Sequence, residues 1–449
     1  MQKEKVHMIS LGCPKNLVDA EMMLGGLEKD SYEVSQEAEA ADTIIVNTCS
    51  FIEESRKESI QTILEMAELK KQDANKKLIV SGCLPQRYKE DLVEDLPEVD
   101  LFIGSGEFQN VSKILREHRA GKEQKTFFHL PTFLQKEDTP RVISGPKHRA
   151  FLKISEGCKK RCAFCAIPKI RGNLQSRKIE GIVSEAKLLA ASGVRELIIV
   201  SHDFTDYGWD IRRNDAQRND NNVDLLKALD EVEGIKWIRI MYLYPDGISK
   251  EFLELVKTSN KILPYFDMPL QHISDPMLKA MNRKMKKAKI LERLSWIREA
   301  LPDAVIRTQF IVGFPGETKE DFEELLSFIK DFRFDRVGCF KYSPEEKTAA
   351  YRMNNQVAED IKEDRYQELM STQLMISRQM HQRFVGRTIE VLVEGYSEES
   401  DLLLQGRMAG QAHEIDGLVY INDGAANVGD FVQVKITDSH DYDLVGHIV

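Results

Sequence analysis

The sequence predicts an α/β protein in three parts: an amino-terminal doubly wound parallel sheet domain, a central partial β/α barrel of the TIM type, and a small carboxy-terminal β-barrel. Three observations predict it. Apolar, β-rich runs alternate with amphipathic helical runs over two successive stretches of the chain. The second stretch holds about six such βα units. The last stretch switches to a period of two, with glycines between short runs. At 449 residues, 42% hydrophobic and 30% charged, the chain can bury several cores and has the balance of a globular protein.

The elements follow in order. Residues 6–11, 43–47, 78–81 and 101–104 read as strands, with helices from about Val18 and over residues 53–69. Around residues 123–143 the pattern dissolves, with Pro131 and Pro140 interrupting it, and this reads as a linker. The second series has strands at 151–155, 196–201, 237–242, 265–268, 305–312 and 336–342, with helices at 182–191, 224–232, 289–300 and 319–331. A long helix at 358–384 places Tyr366, Leu369, Ile376, Met380 and Phe384 near one face, the spacing of core packing. Short runs at 389–394, 402–404, 418–421, 431–436 and 445–449 suggest the closing β-barrel. The expected divisions are 1–122, 123–143, 144–380 and 381–449.

Charge is uneven. The net is −10, and residues 382–449 hold four Lys/Arg against twelve Asp/Glu, a net of −8. Such a module repels phosphate and attracts basic partners, or is a solubilising surface. No run reaches the roughly 18 apolar residues of a membrane span. The charged start, Met1 to Lys5, has no apolar segment behind it, so a cytoplasmic protein without a membrane partner is expected.

Seven cysteines in such a chain point to metal or catalysis rather than disulfides. Cys158, Cys162 and Cys165 form a C-x3-C-x2-C set just after the first barrel strand, at the mouth where such barrels carry chemistry. Three soft thiolates on a short loop suit an iron–sulfur cluster with one iron left open. Zinc held with His148 or His202 is the alternative. Cys13, Cys49 and Cys83, spaced 36 and 34 residues apart, each follow a strand. In a parallel sheet those three positions share the edge that forms the ligand crevice. They form a second set of three thiols.

The C-x3-C-x2-C set, with Phe164 before its last cysteine, resembles the radical S-adenosylmethionine enzymes. Gly12-Cys13-Pro14-Lys15-Asn16, Asn47-Thr48-Cys49 and Ser81-Gly82-Cys83 resemble the amino-terminal motifs of the methylthiotransferases within them. Ile167-Pro168, Arg171-Gly172, Ser176-Arg177, Pro269-Leu270-Gln271-His272 and Gly313 to Thr318 are similar to that family's barrel motifs, and the tail to its TRAM domain. The resemblance implies two 4Fe-4S clusters. One, on Cys158, Cys162 and Cys165, binds S-adenosylmethionine and generates a 5′-deoxyadenosyl radical. The other, on Cys13, Cys49 and Cys83, carries the sulfur. One S-adenosylmethionine gives the methyl group and a second the radical. An inert C–H bond offers no acidic proton, so side-chain acids and bases alone do not suffice.

Residues 11–19 and 47–52 resemble the ribosomal-protein branch of the family, the RimO type. The acidic tail points the same way, since a module gripping RNA should be basic. The resemblance therefore implies methylthiolation of an aspartate β-carbon in ribosomal protein uS12, free or within the small subunit. The tail domain would dock on uS12, and a low-potential electron donor and a sulfur donor would assist. The alternatives are a transfer RNA adenosine methylthiotransferase and, from another class, a non-enzymatic iron–sulfur or zinc sensor that binds ribosomes.

Expected S-adenosylmethionine contacts are Phe164, Ser201, Asp203, Arg307 and Gly313. For Phe164 the other reading is local packing, for Arg307 a structural pair, and for Gly313 a plain turn. Ser201-His202-Asp203 stands where the branch has Gln-Asp, and His202 is read as a bystander. The basic run Arg283 to Lys287 reads as a solvated helix start. Cys339 reads as a small core residue.

Overall fold

The computed structural model describes residues 3–136, 139–214, 221–398 and 400–449. Its amino-terminal sheet has six parallel strands: β1 (Lys5–Ser10), β2 (Glu33–Val34), β3 (Thr43–Thr48), β4 (Lys77–Gly82), β5 (Leu101–Gly104) and β6 (Thr126–Phe127), in the order β2-β1-β3-β4-β5-β6. Every residue of β3 is buried, as a strand between two helix layers must be. Ile45 and Ile79 face the helix Pro14–Lys29, with its Val18, Met22 and Leu27. Ile44, Val46 and Val80 face the helix Glu53–Gln72, with its Ile63 and Ala67.

Residues 123–143, expected as a linker, also build structure. They supply the edge strand β6. They also carry Arg141, whose buried guanidinium lies 2.6 Å from Glu21 of the first helix and 2.6 Å from Glu185 of a barrel helix. The segment is tied down by this cation and by hydrogen bonds from Gln175 and Arg177 to Pro131 and Gln135, long-range contacts that leave no periodic trace in the sequence.

The central domain contains β7 (Arg149–Lys153), β8 (Ser155–Glu156), β9 (Gln175–Ser176), β10 (Glu196–Val200), β11 (Trp237–Ile240), β12 (Tyr265–Gln271), β13 (Val305–Val312) and β14 (Arg336–Lys341). Two parallel sheets, β11-β10-β7 and β12-β13-β14, are joined by a parallel bridge between Ile238 and Ile262. The result is an open, six-stranded barrel, while β8 and β9 pair antiparallel beside its mouth. Within β10, Leu197 and Ile199 pack outward on the helices and Ile198 and Val200 point inward, the period of two that a strand imposes.

The tail forms a closed barrel of β15 (Thr388–Ser397), β16 (Ser400–Met408), β17 (Val419–Asp423), β18 (Phe431–Ser439) and β19 (Leu444–Ile448), ordered β15-β16-β17-β19-β18. It docks on the amino-terminal ends of the large barrel's strands. Trp237 meets Phe431 edge-on at 4.9 Å, and the Tyr265 hydroxyl donates to Asp416 at 2.7 Å. Glu196, fully buried, accepts from Arg407 at 2.5 Å and from Arg239 at 2.8 Å.

This latch predicts an acid limit. Burial pushes the Glu196 carboxyl up, but Arg407 and Arg239 outweigh it and hold the carboxyl at about 2. A depressed carboxylate stabilises the folded form above its ordinary value of 4.5 and loses that contribution as pH falls toward about 2. Docking of the small barrel is expected to hold above pH 4.5 and weaken progressively below it. Limited proteolysis near Gln382 across that range would read the change, and Glu196→Gln should flatten the profile. An unaltered profile in that variant would contradict the assignment.

Candidate active site

The three amino-terminal cysteines are brought together by the sheet. Cys13 follows β1, Cys49 follows β3 and Cys83 follows β4, adjacent strands whose carboxyl ends share one edge. Polar side chains staple those ends. Asn16 donates to the carbonyls of Leu11 (2.7 Å), Asn47 (3.3 Å) and Thr48 (3.3 Å), Asn47 donates back to the Asn16 carbonyl (2.8 Å), and Thr48 donates to the Ser81 carbonyl (2.6 Å). Buried carbonyls otherwise left without donors are thereby satisfied. Gly12 lies so close that a Cβ on it would stand 2.8 Å from the Cys49 sulfur. The Cys83 thiol feels both Cys13 and Cys49 electrostatically, and burial pushes it up to about 12 against the pull of Arg171.

Cys158, Cys162 and Cys165 sit in the loop after β8, above the large barrel. Burial pushes the Cys158 and Cys165 thiols up to about 12. Thiols with such values must release protons on binding iron, which couples loading to pH. Arg283 lies 3.6 Å from the Cys162 sulfur, donates to the Pro269 carbonyl at 2.6 Å and stacks over Tyr244 at 4.2 Å. Arg283 thus departs from the solvated helix start expected for its basic run. Its neighbour Lys287 does begin the helix Lys287–Ala300. Among the described residues, no three His, Cys, Asp or Glu side chains close around a point tightly enough for a single metal ion.

Residues just after the second set reach the first set across the domain boundary. Ala166, next to Cys165, and Ile170 pack directly on Cys83. Arg171, wholly buried, donates to the Cys83 sulfur at 3.3 Å and to Asn16 at 3.0 Å, and it pairs with Asp19 and with Glu156 at 3.4 Å. Lys153 pairs with the same two carboxylates. Burial pushes Glu156 up, yet Lys153 and Arg171 together bring it down to about 2.

The other expected residues divide. Ser201 and Asp203 stand at the mouth, just past β10, and both are buried. The Ser201 hydroxyl has no partner among the described residues. One Asp203 oxygen accepts from Thr205 at 2.9 Å. The carboxyl is raised to about 7 by burial and by Asp206, against the pull of Lys160. Phe164, half-buried, packs with Ala163, Met277, Met281 and Phe314. Arg307 does point into the barrel, but it donates to Asp267 at 2.7 Å and lies 3.8 Å from Asp416 of the small barrel. Gly313 has φ +71°, and what presses on it is Lys362, whose Cγ would lie 2.2 Å from an added Cβ. His202 is held neutral, its ring lowered to about 3 by burial and by Lys15. The His272 and Gly313-to-Thr318 motifs meet in a structural joint, His272 to Glu317 at 3.0 Å. Cys339 is a buried core residue.

Sequence reasoning did not reach the acidic group that holds the radical-type loop. Lys160 lies 3.5 Å from Asp203, 3.3 Å from Asp206 and 3.5 Å from Asp246, and Lys159 lies 3.0 Å from Asp206. The paired lysines between Cys158 and Cys162 were the available signal.

Three family models match the three parts of the chain. Residues 5–104 match the model of uncharacterized protein family UPF0004, residues 152–329 the radical SAM superfamily, and residues 385–449 the TRAM domain. The chain is 66% identical over 448 residues to the ribosomal protein uS12 methylthiotransferase RimO of Bdellovibrio bacteriovorus, covering 100% of this chain and 98% of that one. Identity is 48% to the protein of that name from Geobacter sulfurreducens (100% and 99% covered) and 46% to that from Clostridioides difficile (99% and 99%). A solved radical S-adenosylmethionine methyltransferase, TsrM from Kitasatospora setae, superposes with a TM-score of 0.52 at 13% identity, covering 76% of this chain and 73% of that one, a likeness of fold. With relatives matched end to end at such identity, the chain belongs to the ribosomal protein uS12 methylthiotransferase (RimO) family.

Proposed function

We propose that the chain transfers a methylthio group to the β-carbon of an aspartate in ribosomal protein uS12. The observation that carries this reading is that the segment just after the radical-type loop reaches the amino-terminal thiols: Ala166 and Ile170 pack on Cys83, and Arg171 donates to its sulfur. Cys13, Cys49 and Cys83 hold one 4Fe-4S cluster, and Cys158, Cys162 and Cys165 hold a second that binds S-adenosylmethionine. Three thiols per set fit a cluster with one iron free of protein ligands. When bound, these groups and two S-adenosylmethionine molecules supply the radical, methyl and sulfur chemistry that an unactivated C–H bond requires.

The chain's own residues position and insulate. Phe164, Ser201, Asp203, Arg307 and Gly313 are the proposed S-adenosylmethionine contacts, with the Arg307 guanidinium already committed to Asp267. Asp203, Asp206 and Asp246 fix the lysines of the radical loop. The segments 1–122, 144–380 and 381–449 divide the work between sulfur donation, radical generation and substrate docking. Part of the tail's acidity is spent internally: Glu390 pairs with Lys236, Glu394 with Arg407, and Asp416 with the large barrel. The acidic side chains that remain on the outer face, Glu398, Asp423 and Asp438 among them, are left for basic uS12. A low-potential electron donor and a sulfur donor complete the reaction, in the cytoplasm. Among the described residues no helix is long and apolar enough to cross a membrane.

Mass spectrometry of uS12 from cells with and without this gene tests the reading. The expected result is a gain of one CH2S unit on an aspartate only when the chain is present. Modification of transfer RNA with uS12 unchanged would overturn it. The assignment of the amino-terminal set has its own test in Gly12→Ala. At φ +89° the new Cβ would sit 2.5 Å from the Cys49 Cβ, and Cys49 must move. Iron is expected to fall from about eight to about four per chain, read by iron assay, while deoxyadenosine formation persists.

A further inference from the structure

Lys15 occupies the first turn of the helix Pro14–Lys29, two residues from Cys13. That is the end of a helix where a cation is disfavoured, and the side chain is buried, 6% exposed. Its ammonium touches only neutral groups: the Ser201 carbonyl at 3.3 Å and the face of Tyr242 at 3.7 Å. Among the described residues no carboxylate lies within ion-pair distance of it. Its neighbours are different. Lys153 and Arg171 share Asp19 and Glu156, two cations against two anions. Lys15 therefore adds a positive charge that no carboxylate among the described residues offsets, with the Cys13 thiol and the Tyr242 hydroxyl as the nearby groups whose anionic forms would favour it. Lys76 is also buried without a carboxylate, but it lies at the other end of the sheet, bound to the Glu39 and Ala41 carbonyls at 2.6 and 2.5 Å. A buried charge of this kind persists when something offsets it.

Tyr242 supplies a second observation. It stands at the carboxyl end of β11 with φ +62°, a conformation rare for a bulky side chain. Its backbone N–H is held by Asp267 at 3.1 Å. Strain of this kind gathers at functional sites, and here it keeps the ring beneath the Lys15 ammonium. Cys13, His202 and Tyr242 around Lys15 each keep some exposed surface.

We infer that Lys15 receives the carboxylate of the substrate side chain and so selects an aspartate. This rests on the proposed function. The β-carbon of aspartate is one bond from its carboxylate, so an anion seated on Lys15 fixes the reacting carbon beside Cys13 and across from the radical loop. A neutral isostere leaves the ammonium buried and unpaired, which is where recognition discriminates most strongly. An adenine base offers no anion at this point.

The test is anaerobic binding of a uS12 target peptide to the reconstituted enzyme, followed by fluorescence anisotropy, with the target aspartate intact or replaced by asparagine. Wild-type enzyme is expected to prefer the aspartate peptide by about tenfold or more. Lys15→Met should erase that preference, weakening the aspartate peptide and leaving the asparagine peptide unchanged. Lys15→Arg should restore part of it. Iron content and the cluster absorption bands report that each variant is intact. Equal binding of the two peptides by wild-type enzyme overturns the inference whatever the variants do. So does a Lys15→Met enzyme that keeps the preference, or one that loses both peptides equally. If the intact peptide binds selectively yet is never methylthiolated, the proposed function fails and this inference does not.

Discussion

Cys162→Ala is expected to abolish 5′-deoxyadenosine formation altogether, whereas Cys49→Ala keeps it and abolishes methylthiolation. Both variants should hold about four irons instead of about eight. The asymmetry follows from where the thiols sit. Cys162 belongs to the loop over the large barrel, whose Lys160 lies 3.5 Å from Asp203. Cys49 lies in the amino-terminal sheet domain and reaches the mouth only through the domain interface. Each set has three thiols, and loss of one leaves two, too few to keep the cluster. Anaerobic reconstitution with excess S-adenosylmethionine and dithionite, read by chromatography for deoxyadenosine and by mass spectrometry for the modified peptide, separates the two. Retained cleavage in Cys162→Ala, or lost cleavage in Cys49→Ala, would reverse the roles assigned to the sets.

The second large effect is expected at Arg171. This guanidinium is wholly buried and serves Asp19, Glu156, Asn16 and the Cys83 sulfur together. Removing one partner of a buried ionic group costs about 3–5 kcal/mol, because the partner charge is left uncompensated. For Arg171→Met we expect the lower part of that range, since Lys153 still reaches both carboxylates. Urea unfolding of the iron-free chain measures it. The variant should also lower the reduction potential of the amino-terminal cluster, because a donor that stabilises electron density on a thiolate is gone. Potentiometric titration followed by electron paramagnetic resonance reads that shift. Arg171→Lys keeps the charge but not the forked geometry, and should recover more of the stability than of the potential. An unchanged potential in Arg171→Met would remove the tuning role and leave Arg171 as a structural lock.

The places of the cysteines relative to the strands were legible in the sequence for a simple reason. A strand followed by a cysteine fixes where the thiol lies once strands are parallel, so Cys13, Cys49 and Cys83 could be placed on one edge from local pattern. The groups around them were not. Arg171 meets Cys83 across 88 positions, and Arg283 meets Cys162 across 121. Contacts at such separation have no periodicity. The same holds for the strand β6, only two residues long. For Arg307 the sequence left a cofactor contact and a structural pair both open, and what it could not supply was the partner, Asp267, which lies on a neighbouring strand. Charge was read as a property of the tail, yet Glu394 and Asp416 face inward against the large barrel. Composition counts charges without saying which way they point.

The two thiol sets also differ in what must exist before iron arrives. Cys158 to Cys165 is a run of eight residues, able to gather metal while still a short, pliable segment. The other three thiols ride on β1, β3 and β4, and they become neighbours only after the amino-terminal sheet has paired. On the proposed reading, loading of the amino-terminal site therefore waits on the pairing of its sheet, whereas the radical-type loop presents its three thiols within one short segment.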